Sequence, residues 1–198
     1  MVRYQNLLKP LSGRCVWVFG LPCSGKSTVI QALIDSSREI LARISSGDIA
    51  RRLSTTVETQ HMAEGNLFPH EQPLREEILN TINKRKASGS EIVFIDGFPR
   101  TPEQVKWCAD NQLAGTIMEG CFVQIFSDGD TLVTRAKHRM RDDQDKFEAL
   151  IKKINTQQQL IYKLDKTLLE YGFPYYTVVN QDITLAVKQL AKFVGLKK

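Results

Sequence analysis

Cysteine is scarce in this chain and poorly arranged for any chemistry that needs pairs. Its four cysteines, at 15, 23, 108 and 121, form no C-x-x-C pair and have no histidine at ligand spacing. That argues against a disulfide framework, and no structural zinc is expected. Long apolar runs are also missing: none approaches the roughly 20 residues needed to span a bilayer. The opening stretch MVRYQNLLKPLSGR lacks the apolar block of a secretory signal, so a cytoplasmic protein with no membrane partner is expected. No charge of one sign dominates, since 27 Lys and Arg against 22 Asp and Glu leave a net +5. The surplus is dispersed except around Arg135, Lys137, His138, Arg139 and Arg141. No DNA-binding motif accompanies it, and no nucleic-acid partner is expected. Repeats and low-complexity linkers are absent. What remains is 198 residues, 42% hydrophobic and 25% charged, the length and composition of a single domain, 1–198, around one core.

Short apolar runs rich in β-branched and aromatic residues recur at 14–19 (RCVWVF), 91–95 (EIVFI), 121–126 (CFVQIF) and 174–179 (PYYTVV), with a weaker one at 42–46 (ARISS). Each reads as a strand. Helical stretches fall between and after them, at 25–36, 47–56, 70–87, 102–113, 129–139, 143–171 and 182–194. This alternation predicts an α/β fold, a five-stranded parallel sheet flanked by helices in three layers, with ligands beyond the carboxyl ends of the strands.

At the end of the first strand stands GLPCSGKST, residues 20–28. The spacing G-x-x-x-x-G-K-S after a strand and before a helix is the context a phosphate-binding loop requires. There the backbone N–H groups and the helix N-terminus converge on phosphate oxygens, Lys26 reaches the terminal phosphates and Ser27 offers a hydroxyl to Mg²⁺. The strand at 91–95 runs into Asp96, a second candidate for Mg²⁺ duty, followed at once by Gly97-Phe98-Pro99-Arg100. Arg51, Arg100, Arg135, Arg139 and Arg141 are further candidates. Hydrolysis of one triphosphate needs few such cations, whereas transfer to a second phosphate needs a set for each nucleotide.

In the order GLPCSGKST, SSGDIARR (45–52), EGNLFP (64–69), IDGFPRTPEQ (95–104) and RAKHRMRDDQ (135–144), the chain resembles the adenylate kinase family of nucleoside monophosphate kinases, from Val16 to about Val194. The resemblance implies a P-loop NTPase core at 14–45, 91–134 and 142–195. To this are added a monophosphate-binding helical insertion at about 46–75 and a short lid at about 135–141. It implies ATP contacts from Gly20, Leu21, Pro22, Cys23, Ser24, Gly25, Lys26, Ser27, Thr28 and Arg135. For the acceptor it implies Ser46, Arg51, Asn66, Leu67, Phe68, Gly97, Phe98, Pro99, Arg100 and Gln104, the last with an amide suited to the donor and acceptor edge of adenine. Arg135, Arg139 and Arg141 would close over the transferring group with Lys26 and Arg100. Asp142 and Asp143 would hold the lid arginines, and Asp48 and Asp96 with Ser27 would organise Mg²⁺, partly through water. The implied activity is ATP + AMP = 2 ADP, in nucleotide biosynthesis, by a monomer whose partners are ATP and the monophosphate.

The chain departs from that pattern at three places. Cys23 and Ser27 stand where the family usually has glycine, and the Cys23 backbone is expected to suit a non-glycine residue. Only Met140 separates Arg139 from Arg141, so the lid is very short. A further family arginine falls at Ile151, which reads as core in the stripe Phe147, Leu150, Ile151, Ile154, Ile161, Leu164, Leu168. Lys152 or Lys153 is then the candidate substitute, as a point charge rather than a fork. A uridylate/cytidylate kinase shares the whole scaffold, and a nucleotide-binding regulatory module without turnover is the alternative from another class.

Overall fold

The computed structural model describes residues 14–63, 67–111, 120–139, 144–173 and 175–196. Five strands, β1 (Arg14–Phe19), β2 (Leu41–Ser45), β3 (Ile92–Asp96), β4 (Gly120–Phe126) and β5 (Tyr175–Val179), form one sheet in the order β2-β3-β1-β4-β5. Every pairing is parallel, with Cys15 opposite Val93 on one side and Gly120 on the other. Among the described residues eight helices accompany it: α1 (Lys26–Ser36), α2 (Ser46–Leu53), α3 (Thr56–Ala63), α4 (Glu71–Ala87), α5 (Pro102–Asp110), α6 (Gly129–Arg139), α7 (Gln144–Glu170) and α8 (Ile183–Phe193). This is the α/β fold of the P-loop NTPases.

The central strand shows why the sheet is buried on both faces. All six residues of β1 are buried, and alternate side chains enter different cores. Cys15, Trp17 and Phe19 pack with residues of α4, α5 and α7, whereas Val16 and Val18 pack with residues of α1 and α8. Buried Arg14 opens the strand and donates from Nη2 to the Val194 carbonyl at 2.6 Å, just past α8. Helix starts follow local chemistry: Thr101 caps α5 by accepting from the Gln104 N–H at 3.3 Å with Pro102 next, and Asp182 caps α8 through the Leu185 N–H at 2.8 Å. From β1 the chain crosses to β2 on one side, and from β3 it crosses to β4 on the other; this reversal opens the crevice where ligands bind in such sheets.

Two sequence expectations change. The segment 54–63 contains a separate helix, α3, and the buried line of α7 runs through Leu150, Ile154, Gln157, Leu164 and Leu168. Ile151 is not core: it lies about 100° round the helix from Leu150 and shares an outward groove with Phe147 and Lys152. No described helix is long and apolar enough to cross a membrane.

Candidate active site

The phosphate loop is shaped by two close approaches. A Cβ at Gly20 (φ +145°) would come within 2.4 Å of the Ile125 carbonyl oxygen, and one at Gly25 (φ +85°) within 2.3 Å of Asn180 Nδ2. Only glycine fits either place. Cys23 also lies in the left-handed region, at φ 63°, contrary to the expectation of a conformation that suits a side chain. Gly25 gives α1 no side-chain cap, and the first turn carries no acidic residue. Its N–H groups and positive end are therefore left for an anion. Lys26 Nζ donates to the Gly20 and Leu21 carbonyls, both at 2.9 Å. Burial draws its pKa down to about 8, against the pull of Asp96, and Arg100 adds to the lowering.

Asp96, 4% exposed at the tip of β3, accepts from Ser27 Oγ at 2.6 Å and from Arg43 Nε and Nη2 at 2.9 and 2.7 Å. The Ser27 hydroxyl and Asp96 carboxylate form an adjacent pair of hard oxygen donors, the ligand type Mg²⁺ prefers. Asp48 lines the same cleft and is ion-paired with Arg51. Hydrogen bonds from Ser45 and Arg51 outweigh its burial and hold its carboxyl below the usual range.

Lys26, Arg51, Arg100, Arg139 and Lys153 line one cleft of about 470 Å³. Ser45 caps α2 by accepting from the Asp48 N–H at 3.1 Å, which directs Arg51 along the cleft. Arg100 is fixed by its Nε–H bond to the Gly97 carbonyl at 2.8 Å, and burial carries its pKa below the ordinary arginine value, partly offset by Asp96. The two guanidiniums converge: a Cβ at Gly47 would be 3.6 Å from Arg51 Nη1 and 3.8 Å from Arg100 Nη2. Lys153 Nζ donates to the Met62 carbonyl at 2.7 Å. Burial and the charges of Arg100, Arg51 and Arg139 lower it to about 8.

A second cleft, about 180 Å³, opens from the first and is lined by Ser46, Leu67, Phe68, Phe98, Glu71 and Gln104 among others. Ser46 Oγ donates to the Asp96 carbonyl at 3.0 Å. Phe68 is buried, with the His70 ring edge-on at 5.4 Å. Phe98 packs between Trp17 and Trp107, its peptide to Pro99 is cis, and Pro99 itself faces the first cleft. Gln104 is 2% exposed, accepting from the Arg100 N–H at 2.6 Å and donating to Glu71 Oε1 at 2.8 Å. Its amide is thus engaged at both ends.

Arg135 lines the cleft beside the phosphate loop. Its guanidinium turns under the phosphate loop, donating to Ser127 Oγ and the Asn180 carbonyl at 2.9 Å and to the Ser24 and Cys23 carbonyls at 3.3 and 3.4 Å. Pro22, Cys23, Gly25, Thr28 and Asn180 line the cleft beside it, and Ser24 is buried. In this state Arg135 braces the loop, because four carbonyl and hydroxyl acceptors already surround it. Arg139 lies one helical turn further on and lines the main cleft. Asn66, Arg141, Asp142 and Asp143 lie outside the described residues. The sequence reading missed Arg43, Glu71, Asn180 and Gln157. Of these, Arg43 alone had a signal, a lone charge in an otherwise apolar strand.

Fold and loop together define a P-loop nucleotide-binding protein. A family model described as an AAA domain matches residues 19–152, and the chain belongs to that family. The adenylate kinase of Thermococcus kodakarensis is 34% identical over 132 residues, 63% of this chain and 55% of that protein. The Helicobacter pylori adenylate kinase is 34% identical over 95 residues (45% and 48%). The Pyrococcus furiosus adenylate kinase is 37% identical over 98 (46% and 40%). The chain spans about half the length of these curated relatives.

Proposed function

We propose that this chain is a nucleoside monophosphate kinase that moves the γ-phosphoryl of ATP to AMP, giving two ADP. The observation that carries the reading is that the two clefts share Gly47, Arg51, Gly97, Arg100 and Lys153. A hydrolase has no use for a second cleft joined to the first by cations. A transferase needs one, because the acceptor phosphate must lie against the donor's terminal phosphate.

In this reading the loop 20–28 and the N-terminus of α1 hold the ATP phosphates, and Arg51 and Arg100 hold the acceptor phosphate. An acceptor oxygen bonds to the γ-phosphorus as the bond to the β–γ bridging oxygen breaks. The acceptor oxygen is already anionic, so no protein base is needed. Negative charge spreads over the moving phosphoryl oxygens, and fixed cations stabilise it. Lys26, Lys153 and Arg139 supply them, with Arg135 keeping the loop in shape. Ser27 and Asp96 would hold Mg²⁺, with Asp48 acting through water. When bound, the ion neutralises charge on the β- and γ-phosphates. The segment 46–75 acts as the acceptor-binding insertion and 135–141 as the lid that excludes water.

A coupled assay with AMP, CMP, UMP and GMP as acceptors tests this. Transfer to AMP should exceed the others, and Lys26→Ala should lower it by about 10²–10³. Preference for CMP or UMP would point to a uridylate/cytidylate kinase. An unmutated protein that binds ATP and AMP yet transfers nothing would overturn the enzyme reading.

A further inference from the structure

Among the described residues two carboxylates line the main cleft, Asp48 and Asp96, and arginines of the chain hold both. The arginine on Asp96 is Arg43, from the edge strand β2. Arg43 stands two residues before Ser45, which lies opposite Asp96 in the parallel register. Residues two apart on a strand, and residues laterally paired between strands, share a face of the sheet. Arg43 and Asp96 therefore emerge together on the face that α1 covers, where Phe94 and Leu41 pack. Arg43 Nε and Nη2 both donate to Asp96 Oδ2, at 2.9 and 2.7 Å, and Ser27 Oγ donates to the same oxygen at 2.6 Å. Three donors thus converge on one carboxylate oxygen at the tip of β3. The pair is sheltered, with the Asp96 side chain 5% exposed and the Arg43 side chain 27%.

A carboxylate in that state is a poor seat for a free divalent ion. Mg²⁺ gives up its water reluctantly and is held by one or two carboxylates together with substrate phosphates. Here Arg43 already offsets the charge that would attract it, and an ion brought to Asp96 would stand beside a guanidinium in a sheltered cleft, where like charges repel more strongly than in water. Oδ1 of Asp96 carries no hydrogen bond from the described residues, so one oxygen is kept for the water of an ion that comes in on a nucleotide. Arg43 lines the cleft, and its Nη1 has no hydrogen-bond partner among the described residues. Its charge is permanent, and its fork suits phosphate oxygens.

We propose that Arg43 is a resident counter-cation of the donor-phosphate site. Seated on Asp96, it keeps divalent ions from binding there in the nucleotide-free protein. It also supplies part of the charge that lets a nucleoside triphosphate bind without a metal, so that the ion enters with the nucleotide or after it. This rests on the loop 20–28 and Asp96 as the donor-phosphate site of the reading above.

Mn²⁺ is the probe, because the electron paramagnetic resonance of the free hydrated ion counts what is not bound. The unmutated protein should hold Mn²⁺ at least tenfold more weakly without nucleotide than with ATP bound. Equal affinity in the two states overturns the proposal even if no variant folds. Arg43→Gln keeps a donor toward Asp96 and removes the charge. With nucleotide absent it should bind Mn²⁺ about tenfold tighter than the unmutated protein, a gain that a merely damaged site would not show, with a melting curve as the folding control. The gain should vanish when Asp96→Asn is added; a gain that persists puts the ion at another place and overturns the proposal. Titration calorimetry with ATP in EDTA should show Arg43→Gln binding about tenfold more weakly. Unchanged Mn²⁺ affinity, or unchanged ATP affinity in EDTA, in a folded Arg43→Gln protein also overturns it. None of these readouts needs turnover. Transfer to AMP with unchanged Mn²⁺ affinity in the variant sinks Arg43 and leaves the kinase standing. Tighter Mn²⁺ in the variant of a protein that transfers nothing sinks the kinase and leaves Arg43 standing.

Discussion

At the scale of single residues, Cys23 and Lys153 are the informative positions. Cys23 adopts the left-handed conformation at φ 63°, which is worth about 1–2 kcal/mol of strain for a residue with a Cβ. Cys23→Gly should relieve it, and the gain in denaturant unfolding should be about 1 kcal/mol or less, since glycine also loosens the unfolded chain. A loss of stability would mean that the thiol packs favourably enough to outweigh the strain. Cys23 should also be the first thiol to react in the native protein. Cys15, Cys108 and Cys121 are buried, and burial raises each, Cys121 to about 12. The two candidate lysines of α7 separate cleanly. Lys153 lines both clefts, while Lys152 lies in the outward groove with Phe147 and Ile151. Lys153→Met should lower kcat/KM by about 10², whereas Lys152→Met should leave it within about twofold. If Lys153→Met transfers normally, the idea that it stands in for an arginine fails.

At the scale of elements, legibility followed the strength of the burial pattern. Strands β1, β3 and β4 were readable because both faces are buried, which leaves an uninterrupted apolar run. Helix α3 was not, because none of its described side chains is buried and it has no 3.6-residue stripe to reveal it. Its start was nonetheless written in the chain. Thr55 and Glu58 form a reciprocal cap, with the Thr55 N–H on Glu58 Oε2 at 2.8 Å and the Glu58 N–H on Thr55 Oγ1 at 3.3 Å. In α7 the stripe was read too wide at Phe147 and Ile151, which line the outward groove, and Gln157 was passed over because a polar residue interrupts an apolar count. Gln157 is 7% exposed beside the main cleft, and its Nε2 has no hydrogen-bond partner among the described residues. Gln157→Met keeps the shape and removes the unpaired donor, so urea unfolding should show a gain of about 1 kcal/mol. Unchanged or lower stability would mean that the amide is satisfied in solution.

At the scale of the whole molecule, the motifs were legible but their mutual aim was not. Arg43 on Asp96, Asn180 on the phosphate loop and Glu71 on Gln104 join segments far apart in sequence, and no local period encodes such pairs. What the fold builds from them is a cleft with more positive than negative charge, and its titration can be worked through. Lys26 and Lys153 both lie near pH 8 in the ligand-free protein. Below that pH both are cations, and above it they lose the charge that binds phosphate. Bound nucleotide anions favour the protonated forms and pull both values back up. Hence kcat/KM should fall above about pH 8, while kcat at saturation stays level to about pH 9. Lys153→Met should make the alkaline fall of kcat/KM shallower. Nucleotide binding at alkaline pH should also take up protons, visible as a dependence of the calorimetric heat on the buffer's ionisation enthalpy. Stability is the poorer readout. Unfolded lysines bind more protons than these two between about pH 8 and 10.4, so their contribution to stability rises with pH. The buried thiols oppose this above about pH 8.5, because they stay protonated when folded and ionise when unfolded. A kcat/KM that stays flat to about pH 9.5 would show that neither lysine is held as a depressed cation in the cleft.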